Sequence, residues 1–378
     1  MLGFYEFFAG GGMARAGLGP GWSCLFANDF DERKASTYRD NYGGEALRVG
    51  DIAALTGADL PGVADLAWAS FPCQDLSLAG AGAGLAGARS GTVFAFWRLM
   101  ADLAKHGRAP PLIALENVCG AITSNGGQDF AALCAAFAEA GYRFGPLVID
   151  AALFVAQSRP RLFLVGARHD LLIPDGLTGS APQAPFHTPA LLRAVERLAP
   201  RVREKALWWR LAVPRQAPMT FAQALEDAPV DARWRTDGET ARLISLMSPV
   251  NVAKLDQAKA SGRRRVGAVY RRTRNLPDGA RQQRAEVRFD DLAGCLRTPG
   301  GGSSRQMILV VDADMVRSRL LSARETARLM GLPDTYRLPR SYTDAYHITG
   351  DGVVVPVVSH LARGLLEPLL VGRARAAA

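Results

Sequence analysis

Ala69-Ser-Phe-Pro-Cys-Gln-Asp-Leu-Ser77 closes an apolar run, Ala64 to Phe71, with a proline and then a cysteine. Such a run, stopped by proline, predicts a buried parallel strand. Cys73 then stands at the carboxyl end of a sheet strand, where open α/β folds build their sites. Behind it Gly80, Gly82, Gly84 and Gly87 crowd together, more glycine than a helix interior carries cheaply, which predicts a mobile flap with the cysteine at its base. A cysteine taken alone usually just packs; its surroundings decide otherwise here.

Toward the amino terminus, Leu2 to Phe8 predicts an aromatic strand running into Ala9-Gly10-Gly11-Gly12, with a helix starting at Met13. Strand, glycine turn and helix make a nucleotide-binding opening, because glycine lets the main chain approach a ligand. A second strand, Ser23 to Ala27, ends in Asn28-Asp29, near where such folds place the carboxylate that binds ribose hydroxyls. A third, Ala46 to Val49, ends in Gly50-Asp51-Ile52.

Toward the carboxyl terminus, a helix from Gly91 to Leu103 stops at Pro110-Pro111, and Pro111 to Leu115 predicts an interior strand ending in Glu116-Asn117-Val118. Desolvation at such a strand end raises a glutamate's pKa and suits it to general acid work. A helix from Asp129 to Ala140 and a strand from Tyr142 to Asp150 follow, then Gln157-Ser-Arg159-Pro-Arg161 directly before a core strand, Leu162 to Gly166. Arginine's fixed fork can bridge a carboxylate and a base at once.

The chain has 378 residues, 48% of them hydrophobic and 21% charged, enough for one large α/β domain and a smaller one. Cys24, Cys73, Cys119, Cys134 and Cys295 show neither a C-x-x-C pair nor metal spacing, so reduced thiols and no metal site are expected. No apolar run is expected to reach the roughly 18 residues of a membrane span, and the amino terminus lacks a basic leader. A cytoplasmic protein is the expectation. The net charge of +9 favours an anionic partner. Most of it is concentrated between Arg263 and Arg288, where nine arginines and no lysine face only Asp278 and Glu286. With Tyr270 and a turn at Asn275 to Gly279 among them, these arginines point to phosphates and guanine edges.

In order, F-x-G-x-G, F-P-C-Q, E-N-V, Q-x-R-x-R, R-E-x-x-R-L and a closing glycine motif resemble the DNA (cytosine-5) methyltransferases of bacterial or phage type, over all but about residues 170 to 290. The resemblance implies a Rossmann-like α/β methyltransferase domain with a second, smaller target recognition domain: 1–168 and 307–378 for the first, 169–306 for the second. It implies Cys73 as nucleophile, Glu116 as the group at cytosine N3, Arg159 on the cytosine O2 and orienting the glutamate, Arg161 supporting the nucleophile loop, and Arg89 as a further active-site arginine. The S-adenosylmethionine site would comprise Phe8, Gly10, Gly12, Asp29 on the ribose, Phe30 on the adenine face, Asp51, Ile52, Pro72, Gly352 and Val353. Double-stranded DNA would be met by Gln74, Ser77, Arg263, Arg264, Arg265, Arg271, Arg272, Arg274, Arg297, Gly301 and Arg305. Asn117 would brace the Pro72 loop, and Leu321 to Pro333, with its Ser322/Glu325 capping box, would be structural. Trp208, Trp209 and Trp234 are expected in the core of the smaller domain. Two positions depart from the family pattern: Glu6 replaces an aspartate and Asp351 an asparagine. A monomer is the default. The rivals are a tRNA cytosine methyltransferase of the same fold, an NAD-dependent dehydrogenase, which would explain only the first 52 residues, and an inactive DNA-binding homologue.

Overall fold

Strand β1, Leu2–Phe7, is buried from Gly3 onward and lies inside a seven-stranded sheet. The computed structural model that contains it describes residues 1–71, 91–215, 219–275, 281–298 and 305–376, without the side chains of 274, 275 and 372–376. Pro72, Cys73, Gln74, Ser77, Arg89, Gly301, the glycine flap and the tip of the turn after Asn275 lie outside the described residues, as does the side chain of Arg274.

The chain divides into two units, Met1–Asp150 with Pro160–Val213 and Val353–Ala378, and Ala151–Arg159 with Pro214–Gly352. In the first, β2 (Trp22–Asp29), β3 (Leu47–Val49), β4 (Leu66–Ala69), β5 (Leu112–Val118), β6 (Tyr142–Asp150) and β7 (Pro160–Arg168) join β1 in the order β3-β2-β1-β4-β5-β7-β6. β1 to β5 pair in parallel, while β7 runs antiparallel to both β5 and β6. The reason is the short Ala151–Arg159 link, since a parallel crossover needs about a dozen residues or more.

Helix α1 (Met13–Leu18) follows the glycine turn, α2 (Glu32–Tyr42) follows β2, and α3 (Thr92–Lys105) and α4 (Gln128–Glu139) flank β5. On α3, Val93, Phe96, Trp97, Met100 and Leu103 recur at helical spacing and are buried. Phe7, Phe96, Trp97 and Phe137 stack edge to face, with centroid separations of 5.3, 5.4 and 4.9 Å along the row. The carboxyl-terminal helix Val355–Leu361 packs on α1, where a Cβ on Gly17 would sit 2.4 Å from Val358 Cβ. Nearby, Ser359 Oγ donates to Gly17 O at 2.7 Å, and Trp22 Nε1 donates to Glu367 Oε1 at 3.0 Å.

Residues 169–213 fall in this unit, not in the smaller one as expected. β8 (Thr178–Gly179) pairs with β9 (Trp208–Trp209), and the Trp209 indole donates to Val165 O at 3.0 Å over Gly145, where any side chain would collide with the ring. Trp208 and Trp209 therefore serve the large unit.

The second unit holds a four-stranded antiparallel sheet, order β11-β10-β12-β13, formed by β10 (Arg265–Asn275), β11 (Arg281–Arg288), β12 (Met307–Asp312) and β13 (Met315–Leu320). The expected return to the large domain at 307 is thus replaced by one at Val353, because β12 pairs with β10 from Met307↔Val269 to Val311↔Arg265. The R-E-x-x-R-L motif is a buried node of this unit: Arg319 donates to both Glu325 oxygens at 2.7 and 2.6 Å, and Glu325 also accepts from Ser322 N and Glu226 N. Ser322 and Glu325 form the capping box at the start of helix Ala323–Leu329. Trp234 is half-buried, with the guanidinium groups of Arg317 and Arg319 at 4.3 and 4.8 Å from its ring centroid.

Contrary to expectation, one stretch, Tyr342–Val371, is long and apolar enough for a membrane span by length and composition alone. Its regular helix breaks at Gly352, and 61% of its most apolar window is buried inside the protein, as in a core element.

Candidate active site

β1 ends in a strained turn. Phe8 carries φ 58°, Gly10 56° and Gly12 76°, in the left-handed region that only glycine enters cheaply. Gly12 also lies so close to the Tyr42 and Tyr38 rings that a Cβ would sit 2.5 Å from Tyr42 Cε2, whereas a Cβ on Gly10 would meet no atom of the described residues within 4 Å. The Gly10 main chain thus borders open space. Asp29 is 8% exposed; Oδ2 accepts from Gly10 N at 2.7 Å and Oδ1 from Asp31 N at 2.8 Å. These bonds hold the glycine turn against the end of β2 and still leave the carboxylate capacity for ligand hydroxyls. Phe30, next to it, presents its ring to solvent at 77% exposure. Asp51 Oδ1 accepts from Ala53 N at 2.8 Å, capping the short turn Ile52–Ala54. Ile52 is buried in the core. Sequence reasoning passed over Asn28, whose Nδ2 donates to Arg48 O and Gly50 O at 2.9 and 3.0 Å and ties β3 to β2. Its position beside Asp29 was the signal.

Behind this turn is an unusual group. Glu6 is 1% exposed; Oε1 accepts from Arg15 N at 3.2 Å, and Oε2 has no hydrogen-bond partner among the described residues. Burial pushes its carboxyl from 4.5 up to about 8, with a smaller upward push from Asp29, against the pull of Arg15. The Arg15 guanidinium donates to Tyr38 OH at 3.0 Å and lies 4.7 Å from the Tyr42 ring centroid. The thiol of Cys24, 3.4 Å from Tyr38 OH, is pushed up to about 11, chiefly by burial.

The chemistry-bearing strand end is that of β5. Glu116 lies within the strand, not after it, because the ladder to β7 continues through Glu116↔Phe163 to Val118↔Arg161. That register puts Glu116 and Arg161 diagonally on one face, within reach of long side chains. Arg161 Nε sits 3.2 Å from Glu116 Oε1, with the two side chains 15% and 8% exposed. The structure thus places Arg161 in an ion pair with Glu116, the residue Arg159 was expected to orient. Next in the strand, Asn117 Nδ2 donates to Phe71 O at 2.9 Å, and its Oδ1 accepts from Val118 N at 2.8 Å. Asn117 thus braces the chain where it leaves toward Pro72.

Arg159 ends the link before β7 and belongs to the smaller unit. It is 2% exposed and donates to three carbonyls, Leu296 O at 2.7 Å and Gly350 O and Gly352 O at 2.8 Å each. Gln157, fully buried, accepts from Leu296 N at 3.0 Å and donates to Leu329 O at 2.8 Å. Together they fasten the segment preceding the Gly-rich 299–304 stretch. Val353 is buried. Asp351 accepts a hydrogen bond from Thr298 Oγ1, which occupies one oxygen of the carboxylate that departs from the family pattern.

Of the expected DNA-contacting arginines, Arg263, Arg264, Arg265, Arg272 and Arg297 are exposed and Arg271 is half-buried. Arg305 donates to Thr343 Oγ1 at 2.8 Å and lies over the Tyr342 ring. Arg281, Arg284 and Arg288, within the same basic run but not singled out from it, lie on β11, paired to β10. Among the described residues no group of three or more His, Cys, Asp or Glu could hold a metal ion.

Comparison with known proteins adds a family. The model of the C-5 cytosine-specific DNA methylases matches residues 2–367. The DNA-cytosine methyltransferase of Escherichia coli K12 is 28% identical over 419 aligned positions, 97% of this chain and 77% of that protein. The type II methyltransferase M.BsuFI of Bacillus subtilis is 34% identical over 176 residues, 46% of this chain but only 41% of that protein's length. Among solved structures, the crystal structure of S. pombe Dnmt2 methyltransferase shares the fold at a TM-score of 0.60 and 17% identity, covering 98% of this chain and 99% of that one.

Proposed function

We propose that this chain, which belongs to the C-5 cytosine-specific DNA methylase family, transfers a methyl group from S-adenosylmethionine to C5 of a flipped-out cytosine in a specific sequence of duplex DNA. The observation that carries the reading is the buried Glu116–Arg161 pair at the end of β5, beside an asparagine that grips the main chain two residues before Cys73.

The residues after β1, β2 and β3 fit the cofactor. The open main chain at Gly10, the Asp29 carboxylate, the exposed Phe30 ring and Asp51 supply a close-approach surface, a hydroxyl acceptor, a stacking face and an amine acceptor. When bound, S-adenosylmethionine supplies an electrophilic methyl group to C5. The chain's own residues make C5 able to accept it. Cys73, as thiolate, forms a bond to C6 and drives electron density onto C5, while Glu116, held by Arg161, provides the hydrogen bond at N3 that eases the addition. After methylation a base removes the C5 proton, its electron pair restores the C5–C6 double bond, and the C6–S bond breaks to return the thiolate. Reaching C6 requires the cytosine to leave the stack. The basic β10–β11 hairpin favours a duplex partner, in the cytoplasm, over a small-molecule substrate.

Bisulfite sequencing of DNA from a methylation-free bacterial host expressing this chain tests the proposal, beside a Cys73→Ala control. Protected cytosines within one short motif, absent in the control, are expected. Methylation of tRNA and none of duplex DNA would move the substrate to RNA; retained methylation in the control would remove Cys73 as nucleophile.

A further inference from the structure

The β10–β11 hairpin outgrows its sheet. β12 covers β10 only from Arg265 to Val269, while the β10–β11 ladder continues in register to Asn275↔Arg281. Past Tyr270 and Glu286 the structure is a ribbon two strands wide. Residues directly opposite share a face, so the ribbon has two distinct sides. One side carries Val269, Val287 and Ala285, all buried in the core of this unit, and Asn251 Oδ1 accepts from Val287 N there. The other side carries the pairs Tyr270–Glu286, Arg272–Arg284 and Arg274–Gln282, and faces away from that core.

The second side is built at an energetic cost. Like charges directly opposite across strands are destabilising, yet Arg272 faces Arg284. Glu286 offsets part of this: its Oε2 lies 3.4 Å from Arg272 Nε, and the Arg272 guanidinium is 5.6 Å from the Tyr270 ring centroid. Glu286 thus engages the inner edge of that guanidinium, and Arg272 remains exposed. An acceptor-rich partner accounts for the arrangement, which folding alone does not. A ribbon two strands wide fits the major groove of B-DNA, about 12 Å across, and the arginine fork matches guanine O6 and N7.

We infer that Arg272 and Arg284, on the side of the β10–β11 ribbon turned away from the core, read guanine in the major groove and so set part of the recognition sequence. This rests on the duplex-DNA reading above. Full-length wild-type enzyme and the variants Arg272→Ala, Arg272→Lys, Arg284→Ala, Arg284→Lys and Gln283→Ala are given a random-sequence duplex library and, separately, tRNA, and the methylated positions are sequenced. Melting midpoint and S-adenosylmethionine binding establish that each variant is folded. The wild-type motif should contain guanine; each Ala and each Lys substitution should relax one guanine position, cutting discrimination there about 5- to 150-fold. The Lys variants should keep the wild-type salt dependence, and Gln283→Ala, on the opposite face, should keep the motif. An unchanged motif in all four arginine variants overturns the inference. So does uniform weakening on every sequence by Ala, with full rescue by Lys, since that is the mark of a phosphate contact. Wild-type activity on tRNA alone would instead overturn the duplex reading, and this inference with it.

Discussion

Replacing Glu6 by glutamine should change how stability depends on pH more than it changes stability itself. In the folded chain burial lifts this carboxyl from 4.5 to about 8. Between those values the folded protein keeps a proton that the unfolded chain has released, so the unfolded state binds fewer protons and stability falls as pH rises. The contribution is fully present below pH 4.5 and gone above about 8. A displacement of that size corresponds to about 5 kcal/mol, a large share of the roughly 5–15 kcal/mol that holds a typical domain together. Glutamine keeps the shape and the acceptor for Arg15 N but cannot ionise. Its amide would fall where Oε2 has no partner among the described residues, a cost of about 1–3 kcal/mol that does not vary with pH. Melting curves from pH 5 to pH 9 at fixed salt should therefore show wild type losing ground steadily to Glu6→Gln. The difference in midpoint should move by roughly 5 °C across the range. A difference that stays constant over those four pH units would refute the assignment of a buried, proton-retaining Glu6.

Asp29→Ala removes the acceptor of Gly10 N and Asp31 N; titration calorimetry should find S-adenosylmethionine bound about tenfold more weakly or worse, and unchanged affinity would detach Asp29 from the cofactor. Glu116→Gln preserves the packing beside Arg161 but not the charge, and single-turnover methyl transfer should fall about 10²- to 10⁴-fold with cofactor affinity intact. Arg319→Met strands the fully buried Glu325 carboxylate and should cost about 3–5 kcal/mol, whereas the double change Arg319→Met/Glu325→Leu should recover most of it; equal losses in urea denaturation would show that packing, not the lone charge, is at issue.

The parts of the fold legible from sequence were those written in local chemistry. The glycine turn at Gly10 to Gly12 announces itself because no other residue adopts its backbone cheaply, and the Ser322/Glu325 capping box and the β6 boundaries appear where they were expected. What escaped depends on pairing across distance. Arg159 and Arg161 look equivalent in Q-x-R-x-R, and only the ladder of β7 with β5 puts Arg161 beside Glu116. The placement of Met307–Asp312 follows from pairing with Val269 some forty residues earlier, and that of Trp209 from a fit over Gly145. Local composition carries neither. Glu6 was legible as a strand residue and as a departure from the family pattern; that one of its oxygens finds no donor or acceptor among the described residues is a property of the packed interior.

The contact between α1 and the Val355–Leu361 helix bears on how the chain is made. Gly17 meets Val358, and Ser359 bonds to Gly17 O across 342 positions of sequence. At a synthesis rate of about 5–20 residues per second, α1 emerges from the ribosome roughly 20 to 70 seconds before the segment that covers it. For that interval the first strand and helix must persist with an apolar side open, and the large unit closes only when its last helices arrive. Synthesis that stops just short of them would release a polypeptide carrying every strand of the sheet and an unsealed α1, a ready substrate for chaperones or proteases.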